Sequence, residues 1–189
     1  MSILEALILG IIQGLTEFLP VSSSGHLELA KIIFGDNLEA EESMLFTIAL
    51  HGATALSTVV VFRRDIAELF QGIFKFRWNE STRFALFVVI SMLPVFVVGV
   101  FFKDEIESLF EGNPILVGSS LVFTAILLYS TTRISTKDGK VNGWRAIVVG
   151  IAQAIAVLPG VSRSGSTIST ALLIGVSRER AARFSFLMV

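Results

Sequence analysis

The chain has 189 residues, of which 53% are hydrophobic and only 16% are charged, and its mean hydropathy is +0.76. Soluble domains are about a quarter charged, so this composition excludes an ordinary soluble domain and predicts a multipass membrane protein. The net charge of -1 and the lack of a basic tail argue against nucleic acid as a partner. Because there is no cysteine, a disulfide framework, a thiolate metal site and cysteine-based phosphatase chemistry are excluded.

The first apolar region covers residues 3–34 and is interrupted between Pro20 and Gly25. No basic segment precedes it and Glu5 comes early, so the amino terminus does not resemble a cleavable signal peptide. We expect it to belong to the fold. The stretch 28–42, at the end of this region, carries five acidic residues and one lysine.

Three runs of 19 residues follow, at 44–62, 84–102 and 114–132, and His51 is the only histidine, acidic or basic residue in them. At a rise of about 1.5 Å per residue, each helix nearly crosses a hydrocarbon core of roughly 30 Å. The three runs therefore predict membrane spans. Pro94 is expected to kink the second one.

The loops between these spans differ in charge. Residues 63–83 hold five basic residues and residues 133–145 hold four, whereas residues 103–113 carry four acids and one lysine. The positive-inside rule therefore places the two basic loops in the cytoplasm and the acidic stretches outside. The three spans alternate between these faces without contradiction.

The last apolar region, 144–177, has the segment LPGVSRSGST at its centre, whose proline, glycine and arginine would break a continuous helix. A third basic loop follows, with Arg178, Arg180 and Arg183. A hairpin that dips into the membrane and returns keeps both flanking basic loops in the cytoplasm, so the charge rule favours a re-entrant hairpin. By symmetry, region 3–34 is expected to dip from outside. A single tilted crossing is the alternative for either region.

Shifting the chain by 140 residues aligns GIIQGLTEFLPVSSSGH with GIAQAIAVLPGVSRSGS. The identical pairs are Gly10/Gly150, Ile11/Ile151, Gln13/Gln153, Val21/Val161, Ser22/Ser162, Ser24/Ser164 and Gly25/Gly165. Because three spans separate the copies, we expect them to be inverted across the membrane, with their broken helices meeting near the midplane. Non-helical backbone at that depth needs protein or a wet cavity to satisfy its polar groups.

The sequence thus predicts an all-α polytopic membrane protein with inverted-topology repeats, two re-entrant broken helical hairpins and intervening transmembrane helices. A single integral membrane domain spans residues 1–189, and the repeats begin near 3–34 and 144–177. A polar site is expected where the hairpins meet.

Two polar clusters lie in the interrupted regions. Gln13 and Glu17 are four residues apart, so on a helix they share one face. Serine-rich loops that open into helices offer hydroxyls and free backbone N–H groups, and the positive helix ends favour an anion. Arg163 adds a permanent charge and a forked donor suited to phosphate oxygens. The candidate residues are Gln13, Glu17, Ser22, Ser23, Ser24 and His26 from the first region, and Ser162, Arg163, Ser164, Ser166 and Thr167 from the second.

These side chains supply the parts of a phosphoryl-transfer site: a nucleophile, a proton carrier and a charge stabiliser. A charged residue between two apolar segments is costly, which favours a functional role for Arg163 over a structural one. Serines at helix starts are usually caps, so any single serine of 22–24 is explained more readily as a cap than as a nucleophile. His51, beside Gly52 and Ala53, is interpreted as a helix-packing residue.

At this point the residues resemble a known family. QGLTEFLPVSSSGH and LPGVSRSGST are similar to the two signature segments of the bacterial undecaprenyl-diphosphatase family, also called the bacitracin-resistance protein family. The resemblance covers essentially the whole chain. It implies a multi-pass enzyme of the bacterial plasma (inner) membrane that hydrolyses undecaprenyl diphosphate to the monophosphate carrier for peptidoglycan synthesis. Bacitracin resistance follows from removal of the drug's target.

By position, the resemblance implies a catalytic group and a phosphate-binding group. The catalytic group is Glu17, Ser23, His26 and Arg163. The phosphate-binding group is Gln13, Ser22, Ser24, Ser162, Ser164 and Thr167. The resemblance also implies a divalent cation such as Mg²⁺ or Ca²⁺ with Glu17 as a candidate ligand, homodimers, and an active site that faces the outer or periplasmic side.

Three mechanisms stay open. Ser23 attacks the terminal phosphorus while His26 or Glu17 moves protons, His26 itself attacks, or Glu17 with a metal ion activates water. Members of the resembled family usually run on further, whereas this chain ends six residues into an apolar segment that begins at Phe184. We therefore expect a fragment.

Competing functions belong to other classes. Inverted repeats with broken helices are also a transporter architecture, so a flippase for polyprenyl-phosphate lipid is the main alternative. A structural scaffold is the weakest alternative, because it leaves Glu17, His26 and Arg163 without a purpose. SSSGH is also similar to a lipid phosphatase motif, but that family needs a second histidine, and none follows Arg163.

Overall fold

The computed structural model describes residues 2–35, 40–103, 105–106, 113–134 and 138–188, and these residues form nine helices and one isolated β-bridge. The helices are α1 Ile3–Phe18, α2 Ser23–Phe34, α3 Ala40–Val61, α4 Arg63–Ile73, α5 Glu80–Phe101, α6 Pro114–Thr132, α7 Gly143–Ile155, α8 Arg163–Leu173 and α9 Arg178–Leu187. The predicted all-α class is confirmed. Parts of the acidic stretches 28–42 and 103–113, and Lys137 of the second basic loop, lie outside the described residues.

Two of the predicted spans are confirmed by length and apolarity. Helices α5 and α6 have mean hydropathies of 2.7 and 1.7 over their most apolar windows. Pro94 lies inside α5 and does not end it. The first predicted span corresponds to α3. Residues 45–61 of α3 are apolar enough to cross a membrane only together with α4, and the bend of 72° between the two helices is that of a broken span or a re-entrant loop.

Short polar side chains set the helix starts. Ser2 and Glu5 form a capping box at α1, in which each side chain bonds the other residue's backbone N–H. Asn79, Asn113 and Asn142 cap α5, α6 and α7 by accepting a hydrogen bond from a backbone N–H three residues later. These caps explain why each apolar run begins its helix where it does.

Each interrupted region forms a pair of packed helices. Leu9 of α1 packs with Leu27 and Ala30 of α2, and Leu50 of α3 covers them. In the second region, Phe184 of α9 joins residues of α7 and α8 in a separate core. Each repeat therefore builds a hydrophobic core of its own.

The α7–α8 hairpin returns to its starting point. Gly139 and Val176 form the isolated β-bridge, and the Ser177 N–H donates to the Gly139 carbonyl at 3.1 Å. This is the local geometry that a re-entrant hairpin requires. Its passage into and out of a bilayer stays a prediction.

Candidate active site

The two hairpin loops close onto their second helices in the same way. The Ser22 hydroxyl caps α2 by accepting from the Gly25 N–H at 3.3 Å, and the Ser162 hydroxyl caps α8 by accepting from the Gly165 N–H at 3.0 Å. The Ser22–Ser24 and Ser162–Ser164 hydroxyl pairs are both 3.3 Å apart. The aligned serines thus play equivalent structural roles, as the repeat predicts.

The loops also pack directly on each other. A Cβ atom built on Gly25 would lie 3.1 Å from the Gly160 Cα atom, and one built on Gly165 would lie 2.7 Å from the Pro20 carbonyl oxygen. Each helix start therefore touches the loop of the other repeat. Only glycine permits this approach without displacement of the backbone.

An ion pair joins the two loops. The Arg163 guanidinium lies 3.2 Å from Glu17 Oε1, and the Glu17 side chain is only 15% exposed. Ser23 donates a hydrogen bond to Glu17 Oε2, and Gln13 Nε2 donates to the same oxygen at 3.0 Å. The two repeats therefore bring Gln13, Glu17, Ser23 and Arg163 together, with the Glu17 carboxylate at the centre.

These groups open onto a cavity of about 320 Å³. Its walls include seven of the predicted residues: Glu17, Ser22, Ser23, Ser24, Ser162, Arg163 and Ser164. The amino termini of α2 and α8 begin in this wall, at Ser23 and Arg163. Hydroxyls, two positive helix ends and a forked cation form a suitable environment for a phosphate group.

His26 does not lie on this wall, contrary to its predicted place beside Arg163. Ser23, Ser24, Leu27 and Glu28 face the cavity, and the helical repeat turns position 26 away from that face. The Nδ1 atom of His26 lies 2.8 Å from the Ser22 carbonyl oxygen. Since a carbonyl only accepts, this nitrogen carries a proton and holds the backbone of the serine turn.

Two predicted phosphate-binding residues lie behind the wall. Gln13 is 1% exposed and reaches Glu17 and the Thr54 hydroxyl. Thr167 is fully buried, donates to the Arg163 carbonyl at 2.9 Å and contacts the Ser185 hydroxyl. The structure therefore gives both of them positions from which they support the site without facing the cavity. Ser166, a further candidate, is also buried and absent from the wall.

Helix α3 supplies a wall that the sequence reasoning missed. His51, interpreted as a packing residue, faces the cavity with Thr47. Its Nδ1 lies 2.9 Å from the Thr47 carbonyl oxygen. Because a carbonyl only accepts, Nδ1 is the donor of this hydrogen bond. The available signal was the polar series Thr47, His51 and Thr54, whose spacing puts them on one face of an apolar helix.

A divalent cation has a limited set of ligands here. Glu17 and Glu28 are the carboxylates of the cavity wall, and the described part of the chain holds no group of three His, Cys, Asp or Glu side chains able to bind an ion. Mg²⁺ is often held by one or two carboxylates together with substrate phosphates and water. Glu17 already pairs with Arg163, and Glu28 with Lys31 at 3.2 Å, so a cation at these two carboxylates stays a proposal.

The matches to known proteins include every residue of the site. The family described as "Bacitracin resistance protein BacA" matches residues 6–189. A protein named undecaprenyl-diphosphatase from Christiangramia forsetii is 57% identical, over 100% of this chain and 72% of its own length. Proteins of the same name from Bacteroides thetaiotaomicron and Korarchaeum cryptofilum are 50% and 43% identical, over 100% of this chain and 71% and 73% of their own lengths. Because the match spans both serine-capped loops and the helices between them, this chain belongs to the bacitracin resistance protein BacA family.

Proposed function

We propose that this protein is an undecaprenyl-diphosphate phosphatase that hydrolyses its lipid substrate to undecaprenyl phosphate and inorganic phosphate. The single observation that carries the proposal is the Glu17–Arg163 ion pair on the wall of a hydroxyl-lined cavity. The names of the relatives agree with it. The reaction recycles the carrier for peptidoglycan synthesis, supports cell wall biogenesis and cell shape, and confers bacitracin resistance.

Substrate binding depends on Arg163 and the two helix starts. The guanidinium has five donors, so it can keep one bond to Glu17 and present others to phosphate oxygens. Its side chain is 39% exposed and lines the cavity. The amino termini of α2 and α8 add positive potential at the same place.

The geometry favours Ser23 as the nucleophile. Its hydroxyl already donates to Glu17, so the carboxylate can take the proton as the Ser23 oxygen bonds to the terminal phosphorus. The bond between that phosphorus and the bridging oxygen breaks, and undecaprenyl phosphate leaves. Water then attacks the phosphoserine and gives its proton to Nε2 of His51. Glu17 returns the first proton to the Ser23 oxygen as the bond between phosphorus and that oxygen breaks, and inorganic phosphate leaves. His26 as nucleophile loses support, because it does not face the cavity.

A divalent cation, Mg²⁺ or Ca²⁺, would be held by Glu17 and Glu28 with phosphate oxygens. When bound it would neutralise charge on the diphosphate. Arg163, Ser23 and the helix starts hold and orient the substrate in either case.

The remaining parts of the proposal concern the setting. The protein lies in the bacterial inner membrane, forms homodimers and opens its active site to the outer or periplasmic side. The three basic segments, which the positive-inside rule assigns to the cytoplasm, are joined by the ion pairs Arg183–Asp65 and Lys140–Glu80 and by the β-bridge at Gly139. This contact supports a common face for them.

Phosphate release from undecaprenyl diphosphate by purified protein in detergent tests the proposal. We expect turnover by the native chain and a loss of about a hundredfold or more in Arg163→Ala, since removal of one charge-stabilising donor costs 10²–10³-fold in other enzymes. Arg133→Ala is the control, because Arg133 lies at the end of α6 and contacts Tyr129. The flippase would be favoured instead if the native protein released no phosphate but moved polyprenyl phosphate across the membrane of vesicles.

A further inference from the structure

A second cavity, which we call the basic cleft, lies between α4, α5, α7 and α9 and has a volume of about 520 Å³. It shares no wall residue with the active-site cavity. Two carboxylates, Glu68 and Glu80, face five cations across it. These cations are Arg83, Lys140, Arg145, Arg180 and Arg183.

Three of these cations already have acidic partners. Arg183 pairs with Asp65 at 2.7 Å, Arg180 with Asp138 at 3.2 Å and Lys140 with Glu80 at 3.4 Å. The last two pairs involve carboxylates that are more than 90% exposed, so water screens them and they hold the cations weakly.

The other two cations retain unused capacity. Within the described residues, the Arg83 side chain has no hydrogen-bond or ion-pair partner. Arg145 donates to the Lys140 carbonyl, but its Nε atom is buried with no partner. A buried donor without an acceptor is unfavourable. The guanidinium carries further N–H groups, and Arg145 lines the cleft, so these groups can donate to an anion there.

The backbone adds positive potential at the same place. Helices α5, α7 and α9 all begin here, and Ser81, Arg145 and Arg180 of their first turns line the cleft. The positive ends of three helix dipoles therefore lie near one volume. Together with the side chains, they favour a phosphate or a similar anion.

An apolar groove adjoins the cleft. Its volume is about 390 Å³, and Leu69 and Phe84 line both spaces. The remaining wall of the groove is apolar apart from Thr58, and includes Phe70, Ile73 and Val88. A ligand that fills both spaces must have an anionic head and a hydrocarbon chain.

We propose that the basic cleft and the apolar groove together bind an anionic phospholipid, with its phosphate against Arg83 and Arg145 and an acyl chain along Leu69 and Phe84. A free phosphate would leave the groove empty. A zwitterionic lipid would place the cationic group of its own head beside the five cations of the cleft. Basic pockets between membrane helices are suited to anionic headgroups.

Native mass spectrometry of the full chain in detergent tests this site. The probes are dioctanoyl phosphatidylglycerol, dioctanoyl phosphatidylcholine, farnesyl phosphate and inorganic phosphate. We expect phosphatidylglycerol to bind best, and the double variant Arg83→Gln/Arg145→Gln to bind it about tenfold more weakly, a loss of about 1.4 kcal/mol. The control variant Arg133→Gln, which removes a cation outside the cleft, should bind phosphatidylglycerol as the native chain does.

The alternatives give different results. Equal affinity for phosphatidylcholine, or unchanged binding in the double variant, would overturn the site. Farnesyl phosphate binding that is tighter than that of phosphatidylglycerol and is lost in the double variant would overturn the assignment to a phospholipid. If inorganic phosphate displaces phosphatidylglycerol from the native chain as well as phosphatidylglycerol itself does, the groove takes no chain. Arg83→Gln alone decides the matter if the double variant does not fold, because the Arg83 side chain has no partner in the described structure whose loss would weaken the fold.

Discussion

Among the individual residues, Glu17 has the most contacts with other members of the site. It receives hydrogen bonds from Gln13 of its own helix, from Ser23 of the next helix and from Arg163 of the other repeat. A carboxylate held by three donors keeps one orientation, so it can serve as a fixed proton acceptor for the Ser23 hydroxyl. The mechanism depends on this arrangement.

Comparison of the Ser23→Ala variant with Ser24→Ala tests whether Ser23 is the nucleophile. We expect Ser23→Ala to lose phosphate release by about a thousandfold or more, because it removes the attacking oxygen. Ser24→Ala is the matched control and should keep turnover within about tenfold, since the Ser24 hydroxyl contacts only that of Ser22 among the described groups. Full turnover in purified Ser23→Ala would exclude attack by this serine.

His26 offers a test of positioning against proton transfer. Its Nδ1–H bonds the carbonyl of Ser22, a residue whose φ of 70° is strained for a side chain with a Cβ atom. An asparagine amide can replace that donor but cannot carry a proton. We therefore expect His26→Asn to keep much more of the native kcat than His26→Ala.

The two histidine variants are compared in steady-state kinetics at several pH values. A positioning role predicts that His26→Asn has the pH profile of the native enzyme. Equal loss of kcat in both variants, with the acid or base limb of the profile removed, would show that His26 transfers a proton instead.

Among the helices, close contact between α5 and α7 depends on one glycine. A Cβ atom on Gly150 would lie 2.4 Å from the Ser91 carbonyl oxygen, whereas one on Gly10, the aligned residue of the first repeat, would meet Leu50 at 3.9 Å. The two glycines look the same in the sequence. Their different surroundings become visible only once the helices are packed.

Gly150→Ala should therefore lower the free energy of unfolding by about 1–3 kcal/mol, as overpacking does. Gly10→Ala, its control, should change it little or raise it by about 0.5–1 kcal/mol through helix propensity. Thermal unfolding of both variants in one detergent measures the difference. The close contact is refuted if Gly150→Ala is as stable as Gly10→Ala.

The sequence predicted the hairpins because their breaks carry local signals. Pro20, Pro159 and the serines that follow them end one helix and cap the next, so the interruptions were visible without a structure. The wall formed by α3 carried a weaker signal, the polar series Thr47, His51 and Thr54 on one helix face. His51 faces the site only through the packing of α3 against α1. Likewise, the helix face on which His26 lies depends on the residue at which α2 begins, which the Ser22 cap sets.

For the whole molecule, charge and symmetry predicted the arrangement that contacts now support. The basic segments were assigned to one face by their charges, and ion pairs and a β-bridge join them in the structure. The basic cleft between them could not be predicted, because its five cations come from three separate stretches of the chain. Its volume exists only after α4, α5, α7 and α9 have packed.

The meeting of the two repeats at Glu17 and Arg163 is the central claim for the whole molecule. The chain has no cysteine, so Glu17→Cys and Arg163→Cys can be introduced together and treated in membranes with a short bifunctional thiol reagent. A protease site placed in the loop before α7 then separates the repeats. We expect the two fragments to stay joined in this pair and to separate in the control pair Glu17→Cys/Arg180→Cys, because Arg180 belongs to the second fragment but lines the separate basic cleft. Separation in both pairs would contradict the account.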